Sequence, residues 1–438
     1  MNAPIAATRL PDCPLRSASG LPCRGTGGCN NRRGAMLSRE ENETLTQVGP
    51  GTPMGDLLRR YWHPVAAAEE LEERPARPVR LLGEDLVLFK TGEGTYALLE
   101  RWCAHRLTDL AQGYVEDGAI RCPRHGWLYS DAGQCLDQPM EEEPFCEDIK
   151  LDAYLAEAKA GMVWAYLGPR PAPLIPDYEP FTREDGLVQV VFSLLPCNWL
   201  QCHENSMDGI EVEQLMEAME AAASRGERLQ PPPFDFGFEE FEHGFVVQPR
   251  GAPGPPSKTS IWPNGLFAGD GQSCRFEWRV PMDDTTTLNV AWFFDRQAPG
   301  RDAGLEKRVV HWYAPVREEE GGEAIRSHRL NKKFAIWLNQ APIVDRTKEV
   351  LAESDAGVVM LRNKLFSQIA LIADGGEPKA LVRDPEQNRA LPLPFTSDPV
   401  PLPPRDGAET EFPYLAGQPE DVRELYRKVR QTWAEARD

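Results

Sequence analysis

The sequence has no long apolar run, no excess of basic charge and no regular cysteine framework. Without a stretch of about 18 apolar residues, no membrane span is expected. Lys and Arg number 48 against 68 Asp and Glu, a formal net charge of −20. Such a chain offers no basic face to a phosphate backbone, so nucleic acid is excluded as an expected partner. The ten cysteines are scattered over 438 residues. A chain of that length does not need disulfides in place of a core, and a reducing cytoplasm is the expected setting. Histidine is scarce too, with seven in all, at 63, 105, 125, 203, 243, 311 and 328.

What is present fits a globular protein, with 41% hydrophobic and 26% charged residues. The length calls for two or more domains. Residues 1–36 are rich in Arg, Gly, Ser and Pro and lack the apolar segment of a secretory signal. They read as a disordered extension or an over-called start, with a transit peptide as the lesser alternative. Residues 37–74 form a helical entry, with Ser38 as N-cap before acidic residues and a break at Gly49–Pro53. From 75 to 168, short β-branched and apolar runs separated by Gly-containing turns predict a compact all-β domain.

A proline-rich stretch at 169–180 marks a boundary. Residues 169–390 then mix strands at 187–195, 244–249, 274–280 and 287–295 with helices near 205–224, 302–320 and 328–353. Residues 391–438 read as a proline-rich strap and a last helix near 418–436. The expected class is α+β.

The segment with the clearest chemistry is Cys103-Ala104-His105-Arg106 and then Cys122-Pro123-Arg124-His125-Gly126-Trp127, with sixteen residues between His105 and Cys122. Each half offers one thiolate and one imidazole. In a Rieske [2Fe–2S] centre two Cys bind one iron and two His the other. Two Cys and two His can also make a structural zinc site, but a finger keeps its Cys together and its His together. Gly126, Gly133 and Pro139 suit two ligand loops and a third loop that covers them.

These residues resemble the Rieske non-haem iron oxygenases, in particular the oxygenase component of the phthalate 4,5-dioxygenase type. The likeness continues through LSREENETLTQVGPGTPMGDLLRRYWHPVA, VRLLGEDLVLFK, CNWLQCHENSMD at 197–208 and NQAPIVDRTKEVLAESDAGVVMLRNKL at 339–365. It implies an N-terminal all-β Rieske domain and a C-terminal helix-grip domain, an antiparallel sheet with helices. It also implies a head-to-tail trimer or hexamer, fed by a ferredoxin or flavin reductase. Electrons there pass from one subunit's cluster to a neighbour's mononuclear iron.

In that family the second iron sits on two His and one carboxylate, leaving positions open for O2 and substrate. The family pattern places the two His where this chain has Glu211 and Met216, and the carboxylate where it has Lys333. No two of the five remaining histidines are close enough in sequence to share one helix face. A thioether is a poor ligand for Fe(II), and a charged lysine has no lone pair to give. Mononuclear iron is therefore expected to be absent, with Glu211 and Lys333 ion-paired in its place and Met216 filling space. The competing reading is an intact iron held by Glu211, Asp208 and His203.

The resemblance gives Asp208 the role of an inter-subunit bridge between one subunit's cluster His and the next subunit's iron. His203 reads as a satisfied helix-surface or supporting histidine. The stretch from Met216 to Met219, with Ala218 and Ala221–Ala223, reads as a packed helix. Cys135, Cys197, Cys202 and Cys274 read as small buried residues. The expected function is electron transfer by an oxygenase-like subunit that has lost oxygen activation, partnered with a catalytically complete relative. The alternatives are an active aromatic-ring dioxygenase or demethylase with an unusual iron site, and a structural or redox-sensing subunit.

Overall fold

The computed structural model describes residues 36–209, 212–228, 236–249, 258–269, 273–296, 309–317, 322–324 and 329–394, together with Glu424 and Arg427. Helix α1 (Arg39–Thr46) opens on a capping box. The Ser38 hydroxyl accepts from the Glu41 amide at 3.1 Å, and the Glu41 carboxylate accepts from the Ser38 amide at 2.7 Å. Helix α2 (Pro53–Leu58) starts on Thr52 with proline at its first position, where no amide donor is needed.

Strand β1 (His63–Ala67) follows, then the short helix α3 (Glu70–Glu73), β2 (Ala76–Leu81), β3 (Glu84–Gly92) and β4 (Thr95–Glu100). Next come β5 (Tyr114–Glu116), β6 (Ala119–Arg121), β7 (Leu128–Tyr129), β8 (Cys135–Asp137), β9 (Ala153–Lys159) and β10 (Met162–Tyr166). They make a six-stranded antiparallel sheet ordered β1-β10-β9-β4-β3-β2 and a four-stranded sheet ordered β5-β6-β7-β8. The smaller sheet is inserted between β4 and β9 and carries the second ligand segment. Strand β1 lies upstream of position 75, and all five of its residues are buried. A strand covered on both faces shows no polar alternation in sequence.

The second half runs β11 (Gly186–Leu195), α4 (Trp199–Glu204), α5 (Val212–Ser224), β12 (Phe236–Phe241), β13 (Gly244–Pro249), β14 (Lys258–Ile261) and β15 (Gly265–Gly269). It continues through β16 (Ser273–Asp283), β17 (Thr286–Arg296), β18 (Val310–Tyr313), α6 (Arg329–Leu338) and α7 (Ala356–Ala373). Its eight-stranded sheet is ordered β12-β13-β14-β15-β16-β17-β11-β18, and β18 joins β11 in parallel.

Several elements differ from the sequence expectation. The helix expected at 302–320 is replaced at 310–313 by β18, and 302–308 and 318–320 lie outside the described residues. The helix expected over 328–353 stops at Leu338, before a loop containing Pro342. Helix α7 was not expected, because its apolar residues form no single stripe. By length and composition the segment Glu353–Ala373 would also suffice to cross a membrane. Here Arg362 pairs with Glu204 and Glu349, Lys364 pairs with Glu240, and Leu361 and Leu365 are buried. Of the expected strap, residues 391–394 are described, with Leu391 hydrogen-bonded to Asp177 and Glu179. The last helix falls outside the described residues apart from Glu424 and Arg427.

The large sheet is used on both faces. Along β16, Cys274, Phe276, Trp278 and Val280 point to one side and Arg275, Glu277 and Arg279 to the other. The first side meets the N-terminal domain. Trp164 packs edge-on to Trp278 at 5.1 Å, and the Trp292 indole donates to the Ala160 carbonyl at 3.0 Å. Backbone bonds from Leu82 to Pro281 and from Gly83 to Met282 complete the junction. The opposite side packs Val191, Ala291 and Phe293 against Leu330, Phe334 and Trp337 of α6.

Candidate metal centres

The two ligand loops close in matching ways. The Leu107 amide returns to the Cys103 carbonyl at 2.9 Å, and the Gly126 amide returns to the Cys122 carbonyl at 3.1 Å. Both turns need a left-handed residue, with φ of 50° at Leu107 and 78° at Gly126. A Cβ on Gly126 would lie 2.8 Å from Pro139, so glycine there lets the covering loop sit down on the ligand loop. Leu107 accepts the same backbone strain and leaves its side chain 70% exposed.

These turns bring His105 and His125 together, with ring centroids 4.5 Å apart. Trp127 stacks on His105 at 4.7 Å and meets Phe145 of the covering loop edge-on at 5.6 Å. Cys103 and Cys122 lie beneath, 1% and 3% exposed. The Tyr129 hydroxyl is 3.2 Å from the Cys103 sulfur. Burial pushes the Cys103 thiol above its ordinary value, so the thiolate needs a nearby metal charge. Nδ1 of His105 is buried with no hydrogen-bond partner, a lone pair left for a ligand to fill. Two buried thiols, two adjacent imidazoles and that open nitrogen fit a [2Fe–2S] cluster.

The second position is different. Lys333 on α6 is 2% exposed, and its ammonium donates to Glu277 on β16 at 2.7 Å. Arg275 Nε lies 2.9 Å from the same carboxylate, an ion-pair distance without hydrogen-bond alignment, and Arg279 Nη2 lies at 3.5 Å. Burial alone would raise the Glu277 carboxyl. The charges of Lys333, Arg279 and Arg275 more than reverse this and hold it far below the usual carboxylate range. The carboxylate found on Lys333 is thus Glu277. Glu211, the expected partner, lies outside the described residues. The missed signal was the alternation Arg275, Glu277, Arg279 in an otherwise apolar strand.

Met216 is half-buried on α5, but Ala218, Met219, Ala221 and Ala223 are exposed and only Ala222 of that stretch is buried, so the helix is less packed than expected. Asp208 is half-buried and accepts from the Asn205 amide at 3.0 Å. His203 is fully buried, not on a helix surface. Its Nδ1 is 3.4 Å from the Ser206 hydroxyl, and its Nε2 has no hydrogen-bond partner. Burial, then the charge of Arg279, pushes its pKa well down, so the ring is neutral. Next to it Glu204 takes Arg346 at 2.8 Å and Arg362 at 2.7 Å, which ties α4 to α7.

Among the described residues no three His, Cys, Asp or Glu side chains are grouped to hold a single metal ion. A Rieske cluster would not form such a group, because each iron takes two protein ligands. The described residues around Lys333 do not fit a 2-His-1-carboxylate iron.

Comparison with known proteins agrees with this architecture. A sequence model of the Rieske [2Fe-2S] domain matches residues 61–155. The chain is 42% identical to the 5,5'-dehydrodivanillate O-demethylase oxygenase subunit of Sphingobium sp. (strain NBRC 103272 / SYK-6), over 82% of this chain and 87% of that one. It is 28% identical to the phthalate 4,5-dioxygenase oxygenase subunit of Pseudomonas putida, over 78% and 88%. In fold it is similar to NdmA of Pseudomonas putida CBB5, with a TM-score of 0.54 at 21% identity, covering 74% of this chain and 94% of that one. The chain belongs to the Rieske oxygenases, as an oxygenase (alpha) subunit.

Proposed function

We propose that this subunit carries electrons through a [2Fe–2S] cluster on Cys103, His105, Cys122 and His125 and lacks the usual mononuclear iron. Its acceptor would then be the iron of a catalytically complete relative in a shared trimer or hexamer. One observation carries this reading, the buried Lys333–Glu277 pair at 2.7 Å. It supports the reading because the resemblance assigns a carboxylate ligand to position 333, and Lys333 is here engaged as a buried cation.

The bound cluster supplies one-electron transfer. The protein's own residues shield and orient it. Trp127 and Phe145 cover one side of His105, and Tyr129 sits against Cys103. His105 and His125 remain half-buried, within reach of a neighbouring chain. Asp208 is offered as the contact for a neighbour's cluster histidine. The electron donor would be a ferredoxin or a flavin reductase, and the free thiols of the described residues suit a reducing cytoplasm.

A second reading is an active oxygenase that removes methyl groups from an aromatic ether. It is favoured by the 42% identity to an O-demethylase oxygenase subunit. It requires iron on other ligands, for which His203, Asp208 and Glu211 are the candidates. Oxygen consumption by the isolated chain with a reductase and an aromatic methyl ether separates the two. The electron-carrier reading expects cluster reduction without substrate-dependent oxygen uptake, and uptake once a complete homologous subunit is assembled with it. Turnover by the isolated chain would overturn it.

A further inference from the structure

Two cysteines beside the cluster loops are used by neither reading. Cys135 is on β8 and Cys146 opens a 3-10 turn at Cys146–Asp148 in the covering loop. Three backbone-anchored contacts bring them together. The Cys135 amide donates to the Ile149 carbonyl at 3.0 Å, and the Gln134 side chain donates to the carbonyls of Cys146 at 2.7 Å and Ile149 at 3.0 Å. The Cys135 sulfur faces the Asp137 carbonyl at 3.7 Å, and Cys146 packs against the buried cluster that contains Cys135. Cys135 is buried, whereas Cys146 is half-exposed. Cys197 and Cys202 are also close, with sulfurs 3.5 Å apart, but both are fully enclosed and out of reach of an oxidant.

We propose that Cys135 and Cys146 are a redox pair that hydrogen peroxide closes to a disulfide, pinning the covering loop beside the cluster. The accessible Cys146 sulfur attacks one peroxide oxygen, giving a sulfenic acid and water. The Cys135 sulfur then attacks the Cys146 sulfur and displaces the hydroxyl as a second water. The two thiols lose two electrons and two protons, and one peroxide becomes two waters. Phe145 precedes Cys146 and packs on Trp127, which stacks on His105. The new bond therefore anchors the segment that covers a candidate ligand.

The test is peptide mapping of the holoprotein after stoichiometric hydrogen peroxide. Free thiols are alkylated, and a glutamate-specific protease cuts between the two cysteines at Glu141–Glu143. A Cys135–Cys146 cross-linked peptide is expected while the cluster's visible absorption is retained. It should disappear with dithiothreitol and be absent from Cys146→Ser. In Cys135→Ser a dimedone-reactive sulfenate should persist on Cys146. The oxidised wild type should release iron to a chelator severalfold more slowly than the reduced form. Recovery of Cys146 as sulfinic acid with Cys135 still alkylatable would overturn the pairing, as would a cross-link seen only after the cluster has bleached. Equal rates of iron release would overturn the pinning.

Discussion

The cluster loops and the buried charge group on β16 are built on opposite principles. At the cluster end, the candidate ligands lie on two short loops that close through their own backbone, and His105 is left with an open ring nitrogen. On the face of β16 that meets α6 the positive charge is already supplied by protein, from Lys333, Arg275 and Arg279 around Glu277. A dication beside Lys333 would meet an ammonium where it needs a lone pair. The first group leaves a ring nitrogen open for a ligand, and the second balances its charge among side chains from β16 and α6.

The widest contrast is between Cys122→Ser and Lys333→Met. Cys122→Ser should abolish the visible absorption of the cluster and its electron paramagnetic resonance signal on reduction. Lys333→Met should leave both in place. A Cys122→Ser protein with an unchanged spectrum would remove Cys122 from the ligand set.

Next in size is the effect of Glu277→Gln on stability. It strips the shared carboxylate from three buried cations and is expected to cost about 3–5 kcal/mol in urea unfolding. Lys333→Met should cost less, since Arg275 and Arg279 still compensate Glu277. The reverse order would show that Lys333, rather than Glu277, is the centre of the cluster of charge.

Acid should weaken the N-terminal half through His63. Its ring is fully buried beside the Leu58 carbonyl at 2.9 Å, and burial lowers its pKa to about 4. Between that value and the ordinary 6.5 the unfolded chain binds the extra proton, so this stability is present near neutrality and is lost as pH falls. The loss from pH 7 to pH 5 is about 2 kcal/mol. Urea midpoints for His63→Asn should show a shallower pH slope over that range, and an unchanged slope would clear His63. The smallest expected effect is Leu107→Gly. Relief of left-handed strain is largely offset by glycine's entropy, leaving a net gain below about 1 kcal/mol in the same assay.

The legibility of the sequence follows the same division. The cluster residues could be read because each loop is local, so spacing alone brings Cys and His together. The long strands β11, β16 and β17 were visible as sustained apolar runs. Strand β1, buried on both faces, and α7, without a single apolar stripe, gave no periodic signal. The contact between Lys333 and Glu277 was not legible in the sequence. Glu277 lies 56 positions away on another element, and no local rule joins them. The neutral, fully enclosed state of His203 likewise depends on tertiary packing around α4.

The ratio of iron to acid-labile sulfide in the purified, fully loaded protein bears most directly on whether the second site has been given up. About two irons for two sulfides per chain are expected, the content of one Rieske cluster. A third tightly held iron for the same two sulfides would contradict the loss of the mononuclear site and favour an active oxygenase with a rebuilt ligand set.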